Sequence, residues 1–83
     1  MRERGTDGDA IDLDLRGEVC PYTFLKSKLA LEEMAPGQIL RVVVDDETSA
    51  QDVPRSLTGA GHAVLSAEVL SAGVWRIAVR KRG

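Results

Sequence analysis

Residues 11–37 read IDLDLRGEVCPYTFLKSKLALEEMAPG, and a change of hydrophobic period inside them decides the fold. Ile11, Leu13 and Leu15 alternate with Asp12, Asp14 and Arg16, the two-residue period of a strand covered on one face, and Gly17 ends it. From Pro21 to about Ala35 the apolar residues Phe24, Leu25, Leu29, Leu31 and Met34 recur at helical spacing, with Lys26, Glu32 and Glu33 elsewhere around the axis. Pro21 suits the first helical position, where a missing N–H leaves no intrahelical bond unmade, and Pro36-Gly37 stops the helix. The junction holds the only cysteine, Cys20, at or next to the N-cap. Unpaired main-chain N–H groups and the positive end of the helix dipole favour a thiolate there, which makes Cys20 the first candidate for chemistry.

Downstream, Ile39, Leu40, Val42, Val43 and Val44 predict a central strand. The acidic stretch Asp45-Asp46-Glu47 reads as a solvated loop, and Ser49 with Asp52 three residues on reads as a capping box opening a second helix from about Ala50 to Thr58. Pro54 is then expected near the first turn, and Gly59 and Gly61 end the helix. His62–Val69 and Gly73–Arg80 read as two strands whose link, Leu70-Ser71-Ala72, is too short for a parallel crossover. The order β-α-β-α-β-β predicts an α/β fold, a two-layer sandwich with a mixed four-stranded sheet and both helices on one face. Residues 1–10 are expected to form a flexible tail and residues 11–83 a single domain.

Composition excludes several classes of function. The 83 residues contain no apolar run of bilayer length. A net charge of −2 with one Phe, one Trp and one Tyr leaves little basis for nucleic-acid binding. The basic pairs and triplets Arg2/Arg4 and Arg80/Lys81/Arg82 lie at the termini and read as solvated ends. One Cys and one His cannot assemble an ordinary zinc site, and neither metal nor cofactor is expected. His62 reads as a turn residue rather than a general base, and Trp75 as sheet packing. The opening residues Met1–Ala10 lack the apolar stretch of a secretory signal, and a lone thiol fits a reducing compartment, so the expected location is the cytoplasm.

Without a second cysteine an intramolecular disulfide is excluded, so any chemistry of Cys20 is with another molecule. Arg16 is close enough in sequence to favour a thiolate and Glu18 to oppose it. Lys26 and Lys28 are candidates for electrostatic steering or for docking an acidic partner surface.

The landmarks Leu13-Asp14-Leu15-Arg16-Gly17-Glu18-Val19-Cys20-Pro21, Lys26 and Lys28, Pro36-Gly37, Asp45-Asp46, Asp52-Val53-Pro54 and Gly61-His62 agree in order and spacing with one family. Over about residues 11–81 the chain resembles the SirA/TusA/YhhP family of small sulfur-carrier proteins. That resemblance implies the β-α-β-α-β-β sandwich, similar to the C-terminal domain of bacterial translation initiation factor three. It also implies a persulfide carried on the cysteine of a Cys-Pro-x-Pro motif, here Cys20. The implied partners are a sulfur donor, such as a cysteine desulfurase or a rhodanese-like protein, and a downstream acceptor. Family pathways include tRNA thiolation, molybdenum-cofactor maturation and sulfur oxidation.

The motif here is Cys20-Pro21-Tyr22-Thr23, with threonine at the second proline's place. Pro21 is expected to shape the site. Thr23 adds a main-chain N–H and a hydroxyl in the first helical turn, and these are expected to approach the sulfur and stabilise its anion. The alternative function is a non-catalytic regulatory, RNA-binding or protein-binding domain on the same fold, for which fold analogy alone is a weak warrant.

Overall fold

The computed structural model describes residues 10–82; the expected tail lies almost wholly outside them. In chain order the elements are β1 (Ile11–Asp14), α1 (Tyr22–Glu32), β2 (Ile39–Val44), α2 (Glu47–Gly59), β3 (Ala63–Ser71) and β4 (Val74–Arg80). The sheet runs β1-β2-β4-β3, with β1 parallel to β2 and the other two pairings antiparallel. This is the predicted mixed α/β sandwich.

Burial follows from the strand alternation. In β2, Leu40, Val42 and Val44 are buried, and their antiparallel neighbours Ile77 and Val79 in β4 join them. Leu15, Leu31 and Met34 from the α1 side and Val53 and Leu57 from α2 complete one core against that face. The opposite sheet face carries ion pairs, Arg41 Nε to Asp12 Oδ1 at 2.7 Å and Arg76 with Glu68. Two layers leave that face in water, so charged side chains stay on it.

Several local expectations are corrected. The α2 cap is Asp46, whose carboxylate accepts from the Ser49 amide at 3.1 Å, so the helix begins at Glu47 and Ser49 lies inside it. With that earlier start Pro54 falls in the helix interior rather than the first turn. Leu25 and Leu29 face solvent, and the buried stripe of α1 is Thr23, Ser27 and Leu31. Within that stripe Thr23 meets Ser49 of α2, and Ser27 returns its hydroxyl to the Thr23 carbonyl at 2.8 Å. Pro21 stands at the N-cap, one residue before its expected place, and the Cys20–Pro21 peptide is cis.

The C-terminal basic residues are not merely solvated. Lys81 Nζ donates to the Met34 carbonyl at 2.7 Å and to the Glu32 carbonyl at 3.4 Å, and Arg82 Nη1 donates to the Ala60 carbonyl at 3.0 Å. Each supplies a cation where helix carbonyls run out of partners.

Candidate functional site

Parallel pairing of β1 with β2 places the turns that follow them at the same edge of the sheet, so α1 and α2 start side by side. The β1–α1 turn bends at Gly17, whose φ of 91° favours glycine, and is tied to the second turn by the Gly17 amide donating to Asp45 Oδ1 at 2.9 Å. Cys20 lies at the end of this turn, partly exposed, directly before the cap of α1.

The sulfur faces α2. Cys20 Sγ donates to Asp52 Oδ2 at 3.9 Å, a distance within reach of a sulfur hydrogen bond. Asp52 Oδ1 in turn lies 3.8 Å from Arg55 Nη1. The Asp46 carboxyl is held below its ordinary range, chiefly by the Ser49 hydroxyl, with smaller contributions from the Ser49 and Cys20 main-chain amides.

Thr23 does not serve the sulfur directly. Its amide goes to the Val19 carbonyl at 3.3 Å, and its hydroxyl is 2.7 Å from Ser49 Oγ. Ser49 Oγ spends its single hydrogen on Asp46 Oδ2 at 2.8 Å, so Thr23 is the donor in that pair. The chain Thr23 to Ser49 to Asp46 is a buried bolt between the first turns of the two helices, with Thr23 and Ser49 fully enclosed. A proline at position 23 has no hydroxyl with which to make it.

The charged candidates are engaged with partners of their own. Arg16 clamps Asp14, with Nη2 to Oδ2 at 2.8 Å and Nε to Oδ1 at 3.0 Å, and this hydrogen bonding pulls the Asp14 carboxyl down to about 2. Lys26 Nζ lies 2.8 Å from Glu18 Oε2, and Lys28 Nζ lies 4.0 Å from Glu32 Oε2 one turn along the helix. Asp52 is thus the charged side chain seen bonded to the sulfur itself, with Asp46 at the Cys20 main-chain amide.

His62 is remote from the thiol. It precedes Ala63, which pairs with Arg80 opposite Ile39 at the start of β2, whereas Cys20 lies beyond the ends of β1 and β2. Its Nδ1 accepts from the Arg82 amide at 3.1 Å, in keeping with a turn role. Trp75 packs against the core as read from the sequence. A cleft of about 510 Å³ lies elsewhere, lined by Asp12, Asp14, Arg16, Arg41 and Arg76 among others, and does not include Cys20.

Sequence reasoning missed Asp52 and Asp46 as neighbours of the cysteine, having assigned Asp52 to a capping box and Asp46 to a solvated loop. The signal was present in the topology: consecutive β-to-α turns of a parallel unit open at the same sheet edge. It also missed an exposed apolar stripe on α1. Tyr22, Leu25 and Leu29, 56%, 47% and 51% exposed, line the solvent face of the helix, and Val19, 54% exposed, precedes the cysteine.

Fold and site define a small two-layer α/β domain with one accessible thiol at the start of its first helix. The family described as sulfurtransferase TusA matches residues 11–81, and the chain belongs to that family. A candidate sulfur carrier protein of Archaeoglobus fulgidus is 53% identical over 70 residues, covering 84% of this chain and 80% of that protein. Another from Thermotoga maritima is 40% identical over 68 residues, covering 82% and 86%. The crystal structure of a SirA-like protein from Desulfitobacterium hafniense superposes with a TM-score of 0.77 at 27% identity, over 88% of this chain and 99% of that one.

Proposed function

We propose that this protein is a sulfur carrier that accepts sulfane sulfur as a persulfide on Cys20 and passes it to a partner protein. The observation that carries the reading is the position of the sole cysteine: partly exposed, at the start of α1, in a chain of the sulfur-carrier family. The lack of any second cysteine removes internal disulfide formation as a competing fate of the loaded sulfur. The donor fitting this chemistry is a cysteine desulfurase or a rhodanese-like protein, and the acceptor is a second protein with a reactive sulfur. The stripe Tyr22, Leu25 and Leu29 gives both partners an apolar surface beside the thiol. Residues 11–83 act as the carrier domain, in a reducing compartment such as the cytoplasm where the thiol stays free.

Pro21 and Thr23 shape the site, Thr23 by bolting α1 to α2. Arg16, Lys26 and Lys28 act on partners rather than on sulfur, since each is exposed and paired away from Cys20. The test is to incubate the protein with a cysteine desulfurase and cysteine and to measure intact mass. One added sulfur atom, removed by reductant and absent from Cys20→Ala, is expected; a set of desulfurase and rhodanese donors that all leave Cys20 unmodified overturns the reading.

A further inference from the structure

The carboxylate beside the thiol is a feature that sulfur carriage as such does not require. Asp52 lies beyond the first turn of α2, whose cap is Asp46, so it has no capping duty. Its Oδ2 takes the Cys20 S–H at 3.9 Å, and its Oδ1 is left to a loose contact with Arg55, whose side chain is 79% exposed. The other charged groups near the turn have partners of their own: Glu18 pairs with Lys26, Arg16 with Asp14, and Asp46 takes the Ser49 hydroxyl and the Cys20 main-chain amide, leaving Asp52 as the carboxylate bonded to the sulfur itself. The Thr23–Ser49 bolt fixes α2 against α1, and Asp52 stands one turn past Ser49, so its distance from Cys20 is built into the helix packing.

A negative charge at that distance from the sulfur attracts a cationic reagent approaching it and repels an anionic one. Resting on the carrier reading above, we propose that Asp52 is a specificity-determining residue. It directs Cys20 to donors and acceptors that bring a cationic group beside their own reactive sulfur. When such a cation neutralises Asp52, the Cys20 proton leaves to solvent and Sγ attacks the outer sulfur of the donor persulfide. The new bond is Sγ–S; the donor's S–S bond breaks, its electron pair stays on the donor sulfur, and that thiolate takes a proton from solvent. Thiol and persulfide exchange places, so no oxidant or reductant enters.

The test uses small reagents at pH 7 and low salt: neutral iodoacetamide, the cationic disulfide cystamine and the anionic disulfide dithiodipropionate. Wild type is expected to react faster with cystamine than with dithiodipropionate. Asp52→Asn is expected to lose most of the cationic preference, about tenfold in the ratio of the two disulfide rates, the size set by one charge about 4 Å away in a partly solvated site; each disulfide rate is divided by that protein's own rate with neutral iodoacetamide. Asp12→Asn, which makes the same change in net charge on the far sheet face, is expected to keep the preference. An unchanged preference in Asp52→Asn, or an equal loss in Asp12→Asn, overturns the proposal. Should Asp52→Asn fail to fold, wild type decides: its preference for cystamine must fall as salt is raised, and equal rates with both disulfides at low salt overturn it. No persulfide is involved, so a protein showing this selectivity yet refusing sulfur from every donor refutes the carrier reading alone.

Discussion

Thr23→Val removes one oxygen and keeps a branched side chain of the same shape. The hydroxyl it removes is fully buried and donates to Ser49 Oγ at 2.7 Å, and Ser49 then passes its own hydrogen to Asp46. The variant leaves the Ser49 oxygen without its donor in a site closed to water, which costs about 1–3 kcal/mol. In a domain of this size each kcal/mol corresponds to about 4–8 °C in Tm. Ser49→Ala makes a comparable loss from the other side and also takes a donor from Asp46, while the amide of residue 49 still reaches the cap carboxylate. A double-mutant cycle on thermal or urea unfolding isolates the bond: Thr23→Val/Ser49→Ala is expected to lose less than the two single losses together, with a coupling of at least about 0.5 kcal/mol. Additive losses, or a Thr23→Val protein as stable as wild type, refute the assignment of Thr23 to the inter-helix bolt. Thr23→Pro, which restores the family's motif, is expected to be destabilised for the same reason.

Two further outcomes are expected. Burial, with the charges of Arg82 and Lys81 nearby, pushes the His62 imidazole below its ordinary value of 6.5, and Nδ1 accepts a hydrogen bond only while it is unprotonated. The unfolded chain therefore takes up the proton first as pH falls, so His62 contributes stability that is complete above about pH 6.5 and lost below it. Unfolding curves from pH 7.5 to 5.5 should show a decline that is shallower in His62→Gln, and parallel curves count against it. Leu25→Ser/Leu29→Ser removes exposed apolar surface, so stability should change by no more than about 1 kcal/mol across the two sites; loading by a protein donor should slow severalfold while alkylation by iodoacetamide stays constant, and unaltered loading removes the stripe from the docking account.

The architecture was legible because each element has its own period: alternation in Ile11–Leu15, helical spacing from Phe24 to Met34, a β-rich run in β2 and a link before β4 too short for a crossover. The errors have one physical origin, since a periodic pattern locates an apolar stripe but does not say which polar residues a close helix pair will bury. Leu25 and Leu29 fit the helical period as well as Leu31 does, yet α1 buries Thr23 and Ser27, Thr23 against Ser49 of α2, and turns the two leucines outward. Ser49 illustrates the same limit, because a serine three residues before an acid satisfies the capping pattern whether or not it is the cap. The position of Cys20 at a helix start was legible, and the structure places it there, partly exposed. Its electrostatic setting was not, because Asp52 is brought to the sulfur from 32 residues away by the parallel pairing of β1 and β2.

The most direct measurement follows the sulfur through both halves of a transfer. Protein loaded with radiolabelled sulfur on Cys20 is freed of donor, mixed with a candidate acceptor protein bearing a reactive cysteine, and both partners are weighed intact over time. The account predicts that one sulfur atom leaves Cys20 for each one gained by the acceptor. Label that stays on Cys20 with every acceptor, or that appears only as free sulfide, contradicts it.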